Sequence, residues 1–358
     1  MTGKPVLFVT NHVPPDRVGA FVALHERVGL ELAIFGGRSK HATEGVADPG
    51  VPHRHVSQRD VARLSASRAF AAVVCGTAGR AALPAAWAGA RAGRVPFVLW
   101  SALWAHPRTP AHLAGALLLA GIYRDAHAVV AYGPHVAAFA RAYGARNVHI
   151  APQAVDNAFW SAPAGVAPSA RSAAAAAPSA GFRVVFLGRA SREKGVRVLL
   201  DAWRASGLRA PAAALVLVGV GSGPPRCPAG GAVAYFGPQP PAQVRNFLAV
   251  ADVCVIPSLR TRSFREPWGL VANEAMNQST PVIASDEVGA AAGGLVRHER
   301  NGLVVPAGDP EALAAALTRL HDDARLRRRL GDNARRDVTA YTYDAWAAGF
   351  AGALASLP

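Results

Sequence analysis

Lysine is almost missing from this chain of 358 residues: three stand against 35 arginines. So skewed a composition makes each lysine that does occur a residue to explain. Cysteine is scarce as well, with three in all. Cys75 and Cys254 lie inside apolar strand-like runs and read as buried thiols in a reducing compartment, which leaves no disulfide framework. No apolar run is long enough to span a membrane; the longest helix-like stretch, residues 113–122, is about half of what a bilayer needs. The opening Met1-Thr2-Gly3-Lys4 is followed by too short an apolar run for a secretory signal. The expected location is the cytoplasm, with room for peripheral contact at the inner membrane face.

Charge of one sign is in excess, since the formal net charge is +15. Residues 1–170 hold 16 basic and 8 acidic side chains and the remainder 22 and 15, so the halves carry +8 and +7. The excess is spread along the chain and no run interleaves basic with aromatic residues, so nucleic acid is not the expected partner. Anionic metabolites or an anionic membrane surface fit better.

What is present is alternation. Residues 5–10, 31–35, 71–75, 96–100 and 128–131 read as continuous apolar strands with helical stretches between them, such as 111–123 and 135–143. Buried strands separated by helices predict a parallel sheet covered on both faces, a Rossmann-like domain. At 161–181 the pattern gives way to an Ala/Pro/Ser-rich stretch of linker composition. Alternation resumes at 182–187, 214–218, 252–256 and 281–284, and from Asp309 the chain reads as helical. The expected organisation is a first domain over 1–165, a linker at 166–181 and a second Rossmann-like domain over 182–342. A last helix at about 343–358 is a candidate to pack back on the first domain. Open α/β sheets take ligands beyond the carboxyl ends of their strands, so two such domains predict a cleft between them.

Two segments carry chemistry. The first, Gly188-Arg189-Ala190-Ser191-Arg192-Glu193-Lys194-Gly195, joins a strand to an apolar-periodic helix. Gly188 lets backbone approach a ligand, and Arg189 with Lys194 brackets a turn suited to a diphosphate. The second spans Glu266-Pro267-Trp268-Gly269-Leu270 to Glu274-Ala275-Met276, with two glutamates eight positions apart. Pro267 biases Glu266 toward extended backbone just before a helix that carries Glu274, and the amides of Gly269 and Leu270 fall at that helix's start. A ligand with hydroxyls at both ends and phosphate between them, such as a nucleotide sugar, matches this set. A third glycine cluster, residues 219–223, runs into Pro224-Pro225 and makes a poor dinucleotide fingerprint.

Together with Asp252, Pro257-Ser258, the strand 281–285 and Asn301-Gly302-Leu303-Val304-Val305-Pro306, these segments resemble, in order, the donor domain of retaining glycosyltransferases of family four, which have the GT-B fold. The first domain is similar more loosely, through residues 12–19 and 151–156. The resemblance implies that Arg189 and Lys194 neutralise the donor diphosphate, that Glu274 holds the ribose hydroxyls, and that Glu266 contacts the donor sugar near the reacting carbon. It implies a UDP- or GDP-sugar donor, an acceptor that is a glycan, a lipid-linked or a small molecule, and retention of anomeric configuration. No metal or other cofactor is expected; the absence of an Asp-x-Asp triplet agrees. On the acceptor side His106 is the candidate at the reacting sugar, with Ser101 as the alternative, and His12 and Gly19 are candidates in the loop after the first strand. The competing readings are a phosphorylase or nucleotide-sugar epimerase on the same architecture, and a non-catalytic nucleotide-sugar binding protein.

Overall fold

In the computed structural model the described residues are 3–36, 48–77, 79, 81–164, 181–220 and 233–358. Most of the expected linker and the glycine cluster beyond Val220 lie outside them. The contacts divide the chain into one unit of residues 1–156 with 341–358 and a second of 157–340. Each is described by itself.

The first unit is a seven-stranded parallel sheet. Its strands are β1 (Val6–Thr10), β2 (Leu30–Ile34), β3 (His53–His55), β4 (Ala72–Gly76), β5 (Phe97–Ser101), β6 (Ala128–Ala131) and β7 (Val148–Ile150), in the order β3-β2-β1-β4-β5-β6-β7. Successive side chains of a strand point to opposite faces, and β1 divides its residues accordingly. Val6 and Phe8 join the core under the helices Val18–Val28 and Tyr343–Ala355. Leu7 and Val9 join the core under Ala82–Gly93 and Ala116–Asp125. The helix Tyr343–Ala355 is part of this unit because Trp346 and Phe350 stack with Phe8, Phe21 and Trp100. It starts where the Thr342 side chain accepts a hydrogen bond from the Ala345 amide, a cap worth about 1 kcal/mol.

Strand order reverses between β1 and β4 in that sheet, and the second unit repeats the device. Its six strands are β8 (Phe182–Leu187), β9 (Ala213–Val218), β10 (Val233–Phe236), β11 (Val253–Ile256), β12 (Val282–Ser285) and β13 (Gly302–Val305), ordered β10-β9-β8-β11-β12-β13 and parallel throughout. From β8 the chain runs outward through β9 to β10, then returns to lay β11 against the other side of β8. The crevice at the carboxyl ends of β8 and β11 is therefore the position at which such sheets take ligands. The helix Asn157–Ser161, within the stretch that the sequence places in the first domain, belongs to this second unit. Asn157 Oδ1 accepts from Asn277 Nδ2 at 2.8 Å, and the Phe159 carbonyl accepts from Arg245 Nη1 at 2.7 Å.

Candidate functional site

At the end of β8 the chain turns through Gly188, whose φ of 149° suits a residue without a side chain. A short 3-10 turn, Arg192–Lys194, then leads through Gly195 into the helix Val196–Ala205. Gly195 has a φ of 70°, and a Cβ there would collide with the Pro257 carbonyl. Only glycine lets the turn after β8 lie against the loop after β11. That approach brings Lys194 to Glu266: Nζ donates to Oε2 at 2.5 Å. The same oxygen accepts from the Ser258 hydroxyl at 3.2 Å. Ser258 is fully buried, and its carbonyl accepts from Ser285 Oγ at 2.5 Å, which ties the loop to the end of β12. Glu266 is almost sealed, with 8% of its side chain exposed, against 24% for Lys194.

Arg189 lies on the outer side of the same turn, 3.7 Å from Glu193. The Glu193 carboxyl is held below the usual range chiefly by the Ser191 hydroxyl, which donates to it at 2.7 Å, with help from the charges of Arg189 and Lys194. The Glu193 carbonyl accepts from the Leu259 amide at 2.8 Å, a second tie between the two loops.

Glu266 pairs with Val288 as an isolated parallel bridge, and its carbonyl accepts from the Gly289 amide at 3.1 Å. Gly269, at φ 91°, lies next, and Leu270 caps the helix Val271–Asn277. That helix is only seven residues long, so the position of its first amides matters more than any summed dipole. Glu274 is half-buried in its first turn. Beneath it the Cys254 thiol is pushed up, mainly by burial and further by the charge of Glu274. Gly188, Arg189, Lys194, Glu266, Gly269, Leu270 and Glu274 thus all belong to the carboxyl edge of the second sheet, around β8 and β11.

Other residues of the recognisable pattern are architectural. Asp252 accepts from the Arg183 amide at 2.8 Å and pairs with Arg327 at 3.4 Å, which pins the start of β11 to β8. Asn301 is fully buried and holds its turn through the Arg297 amide, the Leu295 carbonyl and Asp337. A Cβ on Gly302 would strike the Val282 carbonyl. Ser258 stands in the Pro257-Ser258 pair of the recognisable pattern, where sequence reasoning assigned it no role; the structure makes it a hydrogen-bond donor to Glu266.

The first unit treats its candidates differently. Gly19, expected to free a loop for ligand approach, lies in the first turn of the helix Val18–Val28, where a Cβ would meet the Tyr343 ring. Its glycine makes room for the C-terminal helix, and Tyr343 donates to the Asp16 carbonyl at 2.8 Å. His12 is half-buried after β1, its amide donating to Asn11 Oδ1 at 3.0 Å. Ser101 is fully buried, bonded to the Tyr123 hydroxyl at 2.6 Å. His106 lies five residues beyond the end of β5, stacked on Tyr143 and lining a cavity of about 310 Å³. Its Nδ1 is 2.9 Å from the Pro107 carbonyl, which makes Nδ1 the protonated nitrogen and Nε2 the basic one. Arg17, not singled out in the sequence, is buried: Nη2 donates to Gln153 Oε1 at 2.7 Å, and the guanidinium lies 5.9 and 5.8 Å from the ring centres of Trp100 and Trp346.

Among the described residues no group of three or more His, Cys, Asp or Glu is arranged to hold a metal ion, and no helix is long and apolar enough to cross a membrane.

Two Rossmann-like sheets in one chain, the second with a cationic and acidic cluster at its strand reversal, are the features of the GT-B class. Residues 181–323 match the family described as glycosyl transferases group 1, and the chain as a whole has the GT-B fold. A D-inositol 3-phosphate glycosyltransferase of Corynebacterium glutamicum is 34% identical over 181 residues, 46% of this chain. The chain spans only 41% of that relative's length. The fold of a crystal structure of Anabaena Alr3699/HepE in complex with UDP-glucose superposes with a TM-score of 0.74 at 17% identity, over 99% of this chain and 100% of that one. Sucrose-phosphate synthase from Thermosynechococcus elongatus follows at 0.70 and 21%, over 97% of each chain.

Proposed function

We propose that this protein is a retaining glycosyltransferase that moves a sugar from a nucleoside diphosphate to an acceptor hydroxyl without a metal. The observation that carries this reading is the Lys194–Glu266–Ser258 cluster at the strand reversal of the second sheet. In it an ammonium and a carboxylate neutralise each other. A donor's diphosphate competes with Glu266 for Lys194, and the released carboxylate becomes the acceptor for the hydroxyls of the donor sugar. Arg189 adds a second cation on the outer side of the turn, and Glu274 holds the ribose. Diphosphate and sugar are thereby recognised together.

Chemistry follows from where charge develops. As the bond from the anomeric carbon to the diphosphate oxygen breaks, negative charge grows on the leaving group, and cations fixed there stabilise the transition state more than the ground state. A Glu266 carboxylate that accepts from the Ser258 hydroxyl and from the hydroxyls of the donor sugar is a weak nucleophile, which favours attack by the acceptor oxygen on the face the diphosphate leaves. The acceptor proton passes to a phosphate oxygen as the new bond forms. His106, with Nε2 basic, is the first-unit side chain proposed to meet sugar or acceptor hydroxyls. UDP is the first nucleotide to try, because a protein of the same fold was crystallised with UDP-glucose.

The test is thermal melting with UDP, GDP, ADP, dTDP and their sugar conjugates on the wild type and Lys194→Ala. A ligand at 100 times its Kd stabilises by about 2.7 kcal/mol. One nucleotide family is expected to raise the melting temperature, the variant to lose that rise, and transfer to survive chelation of metals while falling on the order of 10²-fold in Lys194→Ala. Near-wild-type kinetics in the variant would remove the diphosphate assignment.

A further inference from the structure

Large apolar side chains exposed to water are few among the described residues: Leu113, Leu117, Leu118 and Ile150. Three of these four lie within six residues of one another, at 58%, 84% and 43% exposure. The reason is local. The helices Pro110–Ala114 and Ala116–Asp125 carry Leu117-Leu118-Leu119 as a consecutive run. Successive helical residues are about 100° apart, so three in a row sweep about 200° and cannot all face one core. Ile122 and Tyr123 satisfy the core in the last turn, and the leucines of the first turns stay outside.

Of these leucines Leu118 lines a cavity, together with its neighbour Leu119. It is the space of about 310 Å³ that His106 also lines, and its apolar walls are Leu83, Leu103, Leu118, Leu119 and Ile122. Thr77 and Gly79 enter it from the end of β4, and Leu103 and His106 from the end of β5. It therefore occupies the carboxyl edge of the first sheet, where ligands of such folds bind, and its volume is at the lower limit for a small-molecule site. Its polar side chains are few: the Thr77 hydroxyl and the two imidazoles of His106 and His112, the latter 2.6 Å from Thr109 Oγ1. Arg108, next in the chain to the lining residue Pro107, is exposed, as is His112. An apolar recess with a guanidinium beside it is complementary to an amphiphile, a hydrocarbon chain with a polar or anionic head. It suits a second copy of this chain poorly, because two such faces would oppose arginine to arginine.

We infer that this cavity binds the hydrocarbon portion of the acceptor, so that the acceptor is a lipid-linked alcohol or glycan whose chain enters past Leu117 and Leu118. The inference rests on the reading of the protein as a glycosyltransferase, and its test is arranged to be independent of the donor. Alkyl glucosides from methyl to decyl, each below its micelle concentration, are titrated into the full chain without nucleotide, with tryptophan fluorescence as the readout. Affinity is expected to tighten about two- to fourfold per added methylene until the cavity is filled. The double substitution Leu117→Glu, Leu118→Glu, at two exposed positions, is expected to flatten that dependence while the thermal melt stays cooperative. Affinity that ignores chain length, or keeps its full dependence in the double variant, would overturn the inference. So would a dimer in sedimentation that the double variant dissolves, which would make the face a contact between copies. Binding to phosphatidylglycerol vesicles alongside a flat alkyl series would overturn it as well, in favour of a membrane-resting surface. Because no nucleotide is present, failure of the alkyl series and failure of the nucleotide panel are separate results.

Discussion

The two units share one sheet architecture and use their cations in opposite ways. In the second, Lys194 is presented: it rises from a glycine-bounded turn, keeps 24% of its side chain exposed, and is held by a carboxylate. In the first, Arg17 also follows the first strand of its sheet but is enclosed at 7% exposure, between two indoles and Gln153. Under the proposed function Lys194 is a ligand group, whereas Arg17 is a bolt that ties the loop after β1 to the C-terminal helix through Trp346. A position in a fold therefore does not define a role. What decides it is whether the charge has a replaceable partner and a path to solvent.

The comparison can be broken most severely at Glu266. Glu266→Gln is isosteric and removes the charge that competes for Lys194. Transfer is expected to fall on the order of 10²-fold or more, as when one electrostatic group of a transition-state site is removed. Binding of the nucleoside diphosphate alone should be kept or tightened. A loss of both by titration calorimetry would mean that Glu266 builds the phosphate site itself. Gly195→Ala comes next. Its Cβ would meet the Pro257 carbonyl at positive φ, a left-handed conformation costing about 1–2 kcal/mol for an L-residue even without the collision. A lower melting temperature together with weaker diphosphate binding is expected, because the same displacement moves Lys194.

In the first unit the contrast predicts stability without ligand effects. Arg17→Ala removes a charge-assisted hydrogen bond and two ring contacts, and should cost about 2 kcal/mol in denaturant unfolding. Diphosphate binding should be unchanged; a loss there would end the distinction between bolt and ligand group. The smallest effect belongs to Asp337, whose carboxyl is held below its usual range chiefly by Arg300, with Asn301 and Arg297 assisting. A depressed folded value means that its stabilisation is complete above the unfolded carboxylate pKa, about 3.9, and is lost as pH falls through the folded value. Stability measured from pH 5 downward should fall less steeply in Asp337→Asn than in the wild type, and equal slopes would show that this cluster does not contribute.

Much of the cluster in the second unit was legible residue by residue. A cation at a glycine-bounded turn and a carboxylate before a proline leave marks at fixed spacing, and in a chain with three lysines Lys194 stands out. Ser258 belonged to the pattern but its role was not legible, since a buried serine that donates to a carboxylate is indistinguishable in sequence from one that ends a strand. Asp252 and Asn301 belong to the recognisable pattern as strongly as Glu266, yet their partners are Arg183, Arg327 and Asp337, so pattern alone does not separate scaffold from chemistry. The strands β3, β7, β10 and β13 were not anticipated. Of these β3 and β7 are three-residue edge strands with no buried residue, so neither carries an apolar run.

By itself the sequence determined the two parallel sheets, through continuous apolar strands that only a doubly covered sheet can bury, and the two chemistry-bearing segments, each through residues close together in the chain. That Lys194 meets Glu266, 72 residues further on, was decided by the tertiary structure. Only the tertiary structure decided that Gly19 serves the packing of Tyr343, that Ser101 is sealed beside Tyr123 while His106 lines a cavity, and that residues 157–161 belong with the second unit. Each of those outcomes depends on a contact between segments far apart in the chain. The free energy of such a contact comes from complementary shape and burial, which local pattern and spacing do not encode.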